Sequence, residues 1–138
     1  MVFQNCRWIF IGFCLLVITW IASGAALAQT TGQISPDMLA IQGNWIRTDA
    51  PYVIELRHAQ GGSLQALYFN PKSIHVGKTD AEEQDGFVQL MIELQDINYP
   101  GSTYFLRYIR AQDTLQGIYF LPATQQTYEV GFVRKVVK

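Results

Sequence analysis

From Gly43 onward, apolar and polar residues alternate with a period of two in short runs that end at turn-forming residues. The runs "VIELRH", "LQALYFN" and "FVQLMIELQ" are typical of this pattern. Because successive side chains of a strand point to opposite faces, such alternation predicts strands with one buried face. Turn sequences such as "QGG", "NP" and "AQD" separate the runs, and no long helical period interrupts them. The pattern therefore predicts an all-β fold with short connections.

Eight strands are predicted after Gly43, and without crossover helices they form an eight-stranded antiparallel up-and-down barrel. The loop "NYPGS" is predicted to join the fifth and sixth strands, with Pro100 and Gly101 at the centre of a type II turn. The predicted strands are Asn44 to Thr48, Tyr52 to His58, Ser63 to Asn70, Ser73 to Lys78, Phe87 to Gln95, Thr103 to Arg110, Thr114 to Leu121 and Thr127 to Val136.

A short N-terminal helix is predicted before the first strand, in "SPDMLAIQG". Ser35 is a good N-cap, Pro36 suits the first helical position, and Gly43 is able to terminate the helix.

The alternation also predicts which side chains point into the barrel. If the charged and amide residues of the strands face solvent, their neighbours form a coherent apolar interior. The predicted inward residues are Ile54, Leu56, Leu64, Ala66, Tyr68, Val88, Leu90, Ile92, Leu94, Tyr104, Leu106, Tyr108, Leu115, Gly117, Tyr119, Tyr128, Val130 and Phe132.

Residues 1–28 differ from the rest of the chain and are predicted to be a secretory signal peptide. Arg7 precedes the apolar run "WIFIGFCLLVITWIA", and Ala26 and Ala28 occupy the positions of an A-x-A cleavage site. The alternative is an uncleaved membrane anchor, because the apolar stretch is about long enough to span a bilayer. The predicted organisation is a signal peptide at 1–28, an N-terminal segment with a short helix at 29–42, and a barrel at 43–138. An exported protein, periplasmic or secreted, follows from this arrangement.

Charge and residue types narrow the function classes. Ten Lys and Arg residues stand against eleven Asp and Glu, with a net charge of −1. This balance implies neither a nucleic-acid partner nor an acidic membrane surface, so the only predicted membrane contact is the signal segment, if uncleaved. His58 and His75 are the only histidines and lack a partner at metal-ligand spacing. No metal, no cofactor and no recognisable catalytic constellation are predicted.

Three residues carry a resemblance to a known superfamily. Gly43-x-Trp45 opens the strand region, and Arg134 in "VGFVRK" has inward parity on the last strand. This pattern resembles the calycin superfamily of lipocalin-like barrels, and the resemblance implies that Trp45 lies across one barrel end beneath Arg134. The stretches "ALYFNP", "ELQDINYPGSTYFLRY" and "DTLQGIYF" are similar to small exported bacterial proteins described only as lipocalin-like.

Five inward tyrosines are the leading candidates for a ligand site: Tyr68, Tyr104, Tyr108, Tyr119 and Tyr128. An apolar interior with a few hydroxyl tips is the composition expected of a pocket for a small apolar or amphipathic molecule. Arg47, His58 and Arg110 share the inward parity near strand ends, where they would line a mouth and attract a carboxylate. The alternative is a barrel filled by its own side chains, since eight strands are just wide enough for either outcome.

The outward face is also unusually apolar, which suggests a homodimer or a protein partner as an alternative function. A flattened or incompletely closed barrel would explain the same pattern. The outward apolar residues are Leu67, Phe69, Met91, Phe105, Ile109, Ile118 and Phe120.

Overall fold

The computed structural model describes residues 34–136, which form one short helix and nine antiparallel strands in a nearly closed barrel. The predicted signal segment at 1–28 lies outside the described residues. Within residues 34–136, no helix has the length and apolarity needed to cross a membrane. The elements are α1 (Pro36–Ala40), β1 (Gly43–Arg47), β2 (Val53–His58), β3 (Leu64–Asn70), β4 (Lys72–Ile74), β5 (Val76–Gln84), β6 (Phe87–Asp96), β7 (Tyr99–Ile109), β8 (Thr114–Leu121) and β9 (Gln126–Arg134).

Helix α1 begins where its sequence provides a cap. The Ser35 hydroxyl accepts a hydrogen bond from the backbone N–H of Met38 at 3.2 Å, and Pro36 occupies the first turn. The helix ends at Ala40, and Gly43 then adopts a φ of +123° as the chain enters β1. A helix of five residues is too short to be stable alone, so its contacts with the barrel must hold it.

Strands that are neighbours in sequence pair with each other, except β4 and β5, and β1 also pairs with β9. The sheet order is β4-β3-β2-β1-β9-β8-β7-β6-β5, which leaves β4 and β5 at the two edges. β5 lies beside β3 at a seam, where the backbone N–H of Ala66 in β3 donates to the Thr79 hydroxyl in β5 at 3.3 Å. A side-chain bridge there replaces part of the backbone ladder, so the barrel is nearly closed.

The predicted count of eight strands is wrong, because the predicted strand Ser73 to Lys78 is two strands. Lys72–Ile74 pairs with β3 at one edge of the sheet, whereas Val76–Gln84 pairs with β6 at the other. The chain changes edge at His75, whose carbonyl accepts from the backbone N–H of Gln95 at 2.9 Å. β5 also continues through "EEQ", where apolar and polar residues do not alternate. An edge strand is less deeply buried on its inner side, so it needs fewer apolar residues there.

The connection between β6 and β7 also differs from its prediction. The turn residues are Ile97 and Asn98, whereas Pro100 and Gly101 belong to β7. The register shifts between Leu94 and Gln95, opposite Gly101, whose φ of +79° suits a β-bulge. The bulge thus uses the glycine that sequence reasoning assigned to the turn, and it extends β7 as far as Tyr99.

The interior agrees closely with the predicted set of inward residues. All but three of them are buried: Leu64 and Gly117 are partly buried, and Tyr128 is 45% exposed. Ile41 and Trp45 complete the core at the end of the barrel covered by α1. The middle of the barrel is filled with aliphatic side chains and Phe132, so the interior is solid there.

Candidate functional site

The end of the barrel opposite α1 contains a cavity of about 520 Å³, which is within the range of small-molecule sites. It is formed where β1, β3 and β8 end and β2, β7 and β9 begin. Cross-strand register places Tyr104, Tyr119 and Tyr128 side by side on β7, β8 and β9. The lining residues are Arg47, Asp49, Ala50, Tyr52, Tyr68, Asn70, Asn98, Tyr99, Tyr104, Tyr119, Leu121 and Tyr128.

Packed aromatic rings close the floor of the cavity. Tyr68 is 1% exposed and Tyr104 is 0% exposed, and their ring centroids lie 5.6 Å apart. Phe132 packs edge-on against Tyr104 from the core side, at 5.6 Å between centroids. The cavity therefore ends at this layer and does not continue into the barrel.

The walls are aromatic as well. The Tyr119 ring lies 4.5 Å from that of Tyr104, and Tyr52 and Tyr99 each contact Tyr68 edge-on at 6.3 Å and 6.4 Å between centroids. Edge-to-face packing of this kind is favourable beyond area burial. It presents both ring faces and ring edges to a molecule in the cavity.

Hydroxyl and amide groups supply the polar tips. The Tyr68 and Tyr104 hydroxyl oxygens are 3.0 Å apart, so one donates to the other. The acceptor of that bond keeps its own proton, which has no hydrogen-bond partner among residues 34–136. Asn70 Nδ2 donates to the Tyr99 hydroxyl at 2.5 Å, which fixes Tyr99 at the rim.

Arg47 is the one cation that lines the cavity among the described residues, and its side chain is only 12% exposed. Its Nε and Nη2 donate to Asp49 Oδ1 and Oδ2 at 2.6 Å and 3.0 Å, and its guanidinium lies 5.5 Å from the Tyr52 ring centroid. A guanidinium has five N–H donors, so the edge that bears Nη1 is not used by Asp49.

Burial keeps the tyrosine hydroxyls protonated. It raises the pKa of Tyr68 and of Tyr119 above the ordinary value, and it raises the pKa of Tyr104 to about 12. The neighbouring Arg47 guanidinium opposes the shift at Tyr104 but does not cancel it. At neutral pH these groups therefore act as hydrogen-bond donors and acceptors without charge.

The cavity brings together five of the eight residues predicted from sequence as ligand contacts: Arg47, Tyr68, Tyr104, Tyr119 and Tyr128. The other three, Tyr108, His58 and Arg110, lie at the end covered by α1, so they do not share a mouth with Arg47. Inward parity predicts on which face of the sheet a side chain lies, but it does not predict at which end of the barrel. Successive antiparallel strands end at opposite ends of the barrel.

At the covered end, these three side chains make contacts within the fold. The Tyr108 hydroxyl donates to Asp113 at 3.0 Å, and Arg110 pairs with Asp37 of α1. His58 Nε2 lies 2.9 Å from the carbonyl oxygen of Met38, while its Nδ1 is buried with no partner among the described residues. The contacts of Arg110 and His58 hold α1 against the barrel, whereas that of Tyr108 holds the turn before β8.

Trp45 and Arg134 lie at the same covered end, opposite each other in the β1–β9 register. Trp45 is fully buried, its Nε1 donates to the Ile41 carbonyl at 2.8 Å, and the Arg134 guanidinium lies 4.2 Å from its ring centroid. Arg134 also donates to the Gln42 and Ala40 carbonyls at 2.7 Å each, and to both oxygens of Asp113. One side chain thus joins the helix, both terminal strands and the turn before β8.

Sequence reasoning missed seven cavity residues: Asp49, Ala50, Tyr52, Asn70, Asn98, Tyr99 and Leu121. Tyr52 and Asn70 stand at the ends of predicted strands and share the inward parity of Ile54 and Tyr68, whereas Asn98 and Tyr99 fell within a predicted loop. The available signal was residue type, since tyrosine and asparagine recur at strand ends that meet at one end of an antiparallel barrel.

The outer face of the barrel carries a second feature, a groove of about 700 Å³ across β5 to β8. Met91, Phe105 and Ile118 are cross-strand neighbours beside it, and Phe105 and Ile118 are 44% and 38% exposed. We call these three residues the outer stripe. Asp80 and Glu129 lie at the two ends of the outer stripe, as the next cross-strand neighbours of Met91 and Ile118.

Known proteins give no further indication of function. Family models, curated proteins and solved structures were compared with the chain, and none matched. Within residues 34–136, no group of three or more His, Cys, Asp or Glu side chains is placed to hold a metal ion. The cavity and the outer stripe are therefore the two features from which a function is inferred.

Proposed function

We propose that this protein is an exported small-ligand-binding module that holds an apolar or amphipathic molecule at the open end of its barrel. The observation that carries the proposal is the cavity of about 520 Å³, in which tyrosine rings form floor and walls and hydroxyl, amide and guanidinium groups form the tips. Apolar walls with a few placed polar groups are what small-molecule sites require.

We also propose that the barrel is lipocalin-like, within the calycin superfamily. The contact of Arg134 with Trp45, the up-and-down strand order and the short helix over that end support this assignment. Export is supported by the signal-like sequence of residues 1–28.

Native mass spectrometry of the protein purified from its own host tests the binding function. We expect a bound small molecule, and we expect Tyr99→Ala and Tyr119→Ala to reduce its occupancy because both rings line the cavity. Phe87→Ala is the matched control, since Phe87 is an aromatic residue on the outer face, where Arg107 covers its ring. A ligand-free protein that also binds no small aromatic or aliphatic molecule in solution would contradict the proposal.

The outer stripe favours a second candidate function, the docking of a protein partner or a second copy. Exposed, contiguous apolar side chains of this kind mark interfaces. Analytical ultracentrifugation of Phe105→Ser/Ile118→Ser tests it. Loss of an assembly seen in the parent protein would support docking, provided that Val133→Ser, equally exposed but outside the stripe, retains the assembly. A parent protein that is monomeric and binds no partner through these residues would exclude this candidate.

A further inference from the structure

The depth of the cavity limits the shape of a ligand. Tyr68, Tyr104 and Phe132 close its floor with at most 1% of each residue exposed, and the aliphatic core fills the barrel beyond them. A long alkyl chain would have to displace this layer and open the core, where close packing makes added volume costly. A short, wide molecule requires no such change.

The walls favour a planar ring system over an equally short alkyl group. Tyr52, Tyr99 and Tyr119 surround the space above the floor, each in contact with another aromatic ring. An inserted aromatic ring would continue this edge-to-face arrangement and gain the additional aromatic attraction, which an alkyl chain cannot.

Two polar groups at the floor and wall offer hydrogen-bond donors to a ligand. Arg47 has N–H groups beyond the two that Asp49 accepts, and the Tyr68–Tyr104 pair has one spare hydroxyl proton. Because the Arg47 side chain is 88% shielded from solvent, an acceptor that reaches it competes with little water. A carboxylate is the acceptor that best matches a guanidinium edge.

Resting on the proposed binding function, we propose that the ligand is a compact aromatic acid whose carboxylate lies against Arg47 and whose ring lies among Tyr52, Tyr99 and Tyr119. Asp49 occupies one edge of the guanidinium and the ligand carboxylate occupies the other. Long-chain lipids do not belong to this ligand class.

Isothermal titration calorimetry at pH 7 with three probes tests this assignment. The probes are 2-naphthoate, its neutral amide 2-naphthamide, and decanoate, an acid with an alkyl chain. We expect 2-naphthoate to bind at least tenfold more tightly than the amide, since a charge-assisted hydrogen bond is worth at least the 1.4 kcal/mol that tenfold represents. We also expect it to bind more tightly than decanoate, because the closed floor excludes a long chain and the tyrosine walls favour a ring.

Two substitutions at the ion pair should act in opposite directions. Arg47→Gln should reduce 2-naphthoate affinity to that of the amide, whereas Asp49→Asn should increase it severalfold because it removes the competing carboxylate. Arg57→Gln is the matched control: Arg57 also pairs with a carboxylate two residues away, Glu55, but lies on the outer face. It should leave all three affinities unchanged.

The outcomes separate this inference from the function on which it rests. Decanoate binding as tightly as 2-naphthoate would overturn the aromatic class, and equal binding of the amide would overturn the acid, while a small-ligand function would stand in both cases. Asp49→Asn failing to strengthen 2-naphthoate binding would overturn the role of Arg47. No binding of any probe would overturn the inference, and a ligand-free protein in native mass spectrometry would then overturn the proposed function as well.

Discussion

The two ends of the barrel use similar residue types to opposite effect. At the covered end, Arg134 donates to the carbonyl of Ala40 at the end of α1, to that of Gln42 just after it, and to Asp113, and its guanidinium lies on Trp45. At the open end, Arg47 lines the cavity with one carboxylate partner, Asp49, and lies beside the Tyr104 hydroxyl. α1 causes this difference, because its free backbone carbonyls accept hydrogen bonds from side-chain donors at the covered end only.

The tyrosines show the same contrast. Tyr108 donates to Asp113 and packs edge-on against Trp45 at 6.1 Å, so its hydroxyl is used within the fold. The Tyr68 and Tyr104 hydroxyls pair with each other at the floor of the cavity, where Tyr104 also lies beside Arg47. Substitutions at the covered end should therefore cost stability, whereas those at the open end should cost binding.

Trp45→Ala is expected to have the largest effect on stability. Removing a fully buried indole and its hydrogen bond to Ile41 should lower the free energy of unfolding by about 3 to 5 kcal/mol in urea denaturation. Tyr128→Ala, at the exposed rim of the open end, should change it by less than about 1 kcal/mol. Equal effects of the two would mean that the covered end does not carry the stability.

Arg134→Lys tests the hydrogen bonds of the planar guanidinium separately from its positive charge. Lysine keeps the positive charge but cannot reach Asp113 and two carbonyls together, so we expect a loss of about 2 to 3 kcal/mol in the same urea experiment. Arg57→Lys, in an exposed pair with Glu55, should be nearly neutral. A fully stable Arg134→Lys variant would show that charge alone suffices.

The Tyr68–Tyr104 pair should give a smaller effect with a distinct pattern. Each single change to Phe should cost about 1 kcal/mol of unfolding free energy, because it leaves the other buried hydroxyl without its partner. The double variant should cost no more than one single, since both polar groups are then gone. Strictly additive losses in this double-mutant cycle would contradict the pairing.

The smallest expected effect is a pH dependence at the covered end. The hydrogen bond from Arg134 lowers the pKa of Asp113 below its ordinary value, so the folded state holds this carboxylate in its charged form. The resulting stability is complete above the unfolded pKa, near 4, and is lost as the pH falls through the lower folded value.

Asp113→Asn should therefore reduce the dependence of the unfolding free energy on pH below about pH 4. Asp113 has a φ of +49°, a conformation that asparagine tolerates, so the backbone should be retained. Because Asp113 is 47% exposed, we expect less than about 1 kcal/mol between pH 7 and pH 3, measured by urea denaturation. An unchanged slope would exclude this contribution, and Asp80→Asn, at an exposed pair on the outer face, is the control.

Much of the fold was predictable because its signal is local. Alternation in "VIELRH" or "FVQLMIELQ" needs only neighbouring residues to show which side is apolar. The division at His75 was not predictable, because the segments on either side of it are held by partners at opposite sheet edges. Gly101 was wrongly predicted to lie in a turn for a related reason. A glycine with positive φ suits a turn and a β-bulge equally, and only the register shift after Leu94 distinguishes the two.

The sequence by itself determined that the chain is an antiparallel β protein, which side chains face inward, and that a capped helical turn precedes the first strand. Tertiary structure was needed to show that Arg47 meets the tyrosines at an open end, while His58 and Arg110 contact α1 and Tyr108 contacts Asp113 at the other end. The physical reason is that parity repeats every two residues along each strand, whereas position along the barrel axis depends on inter-strand register and closure.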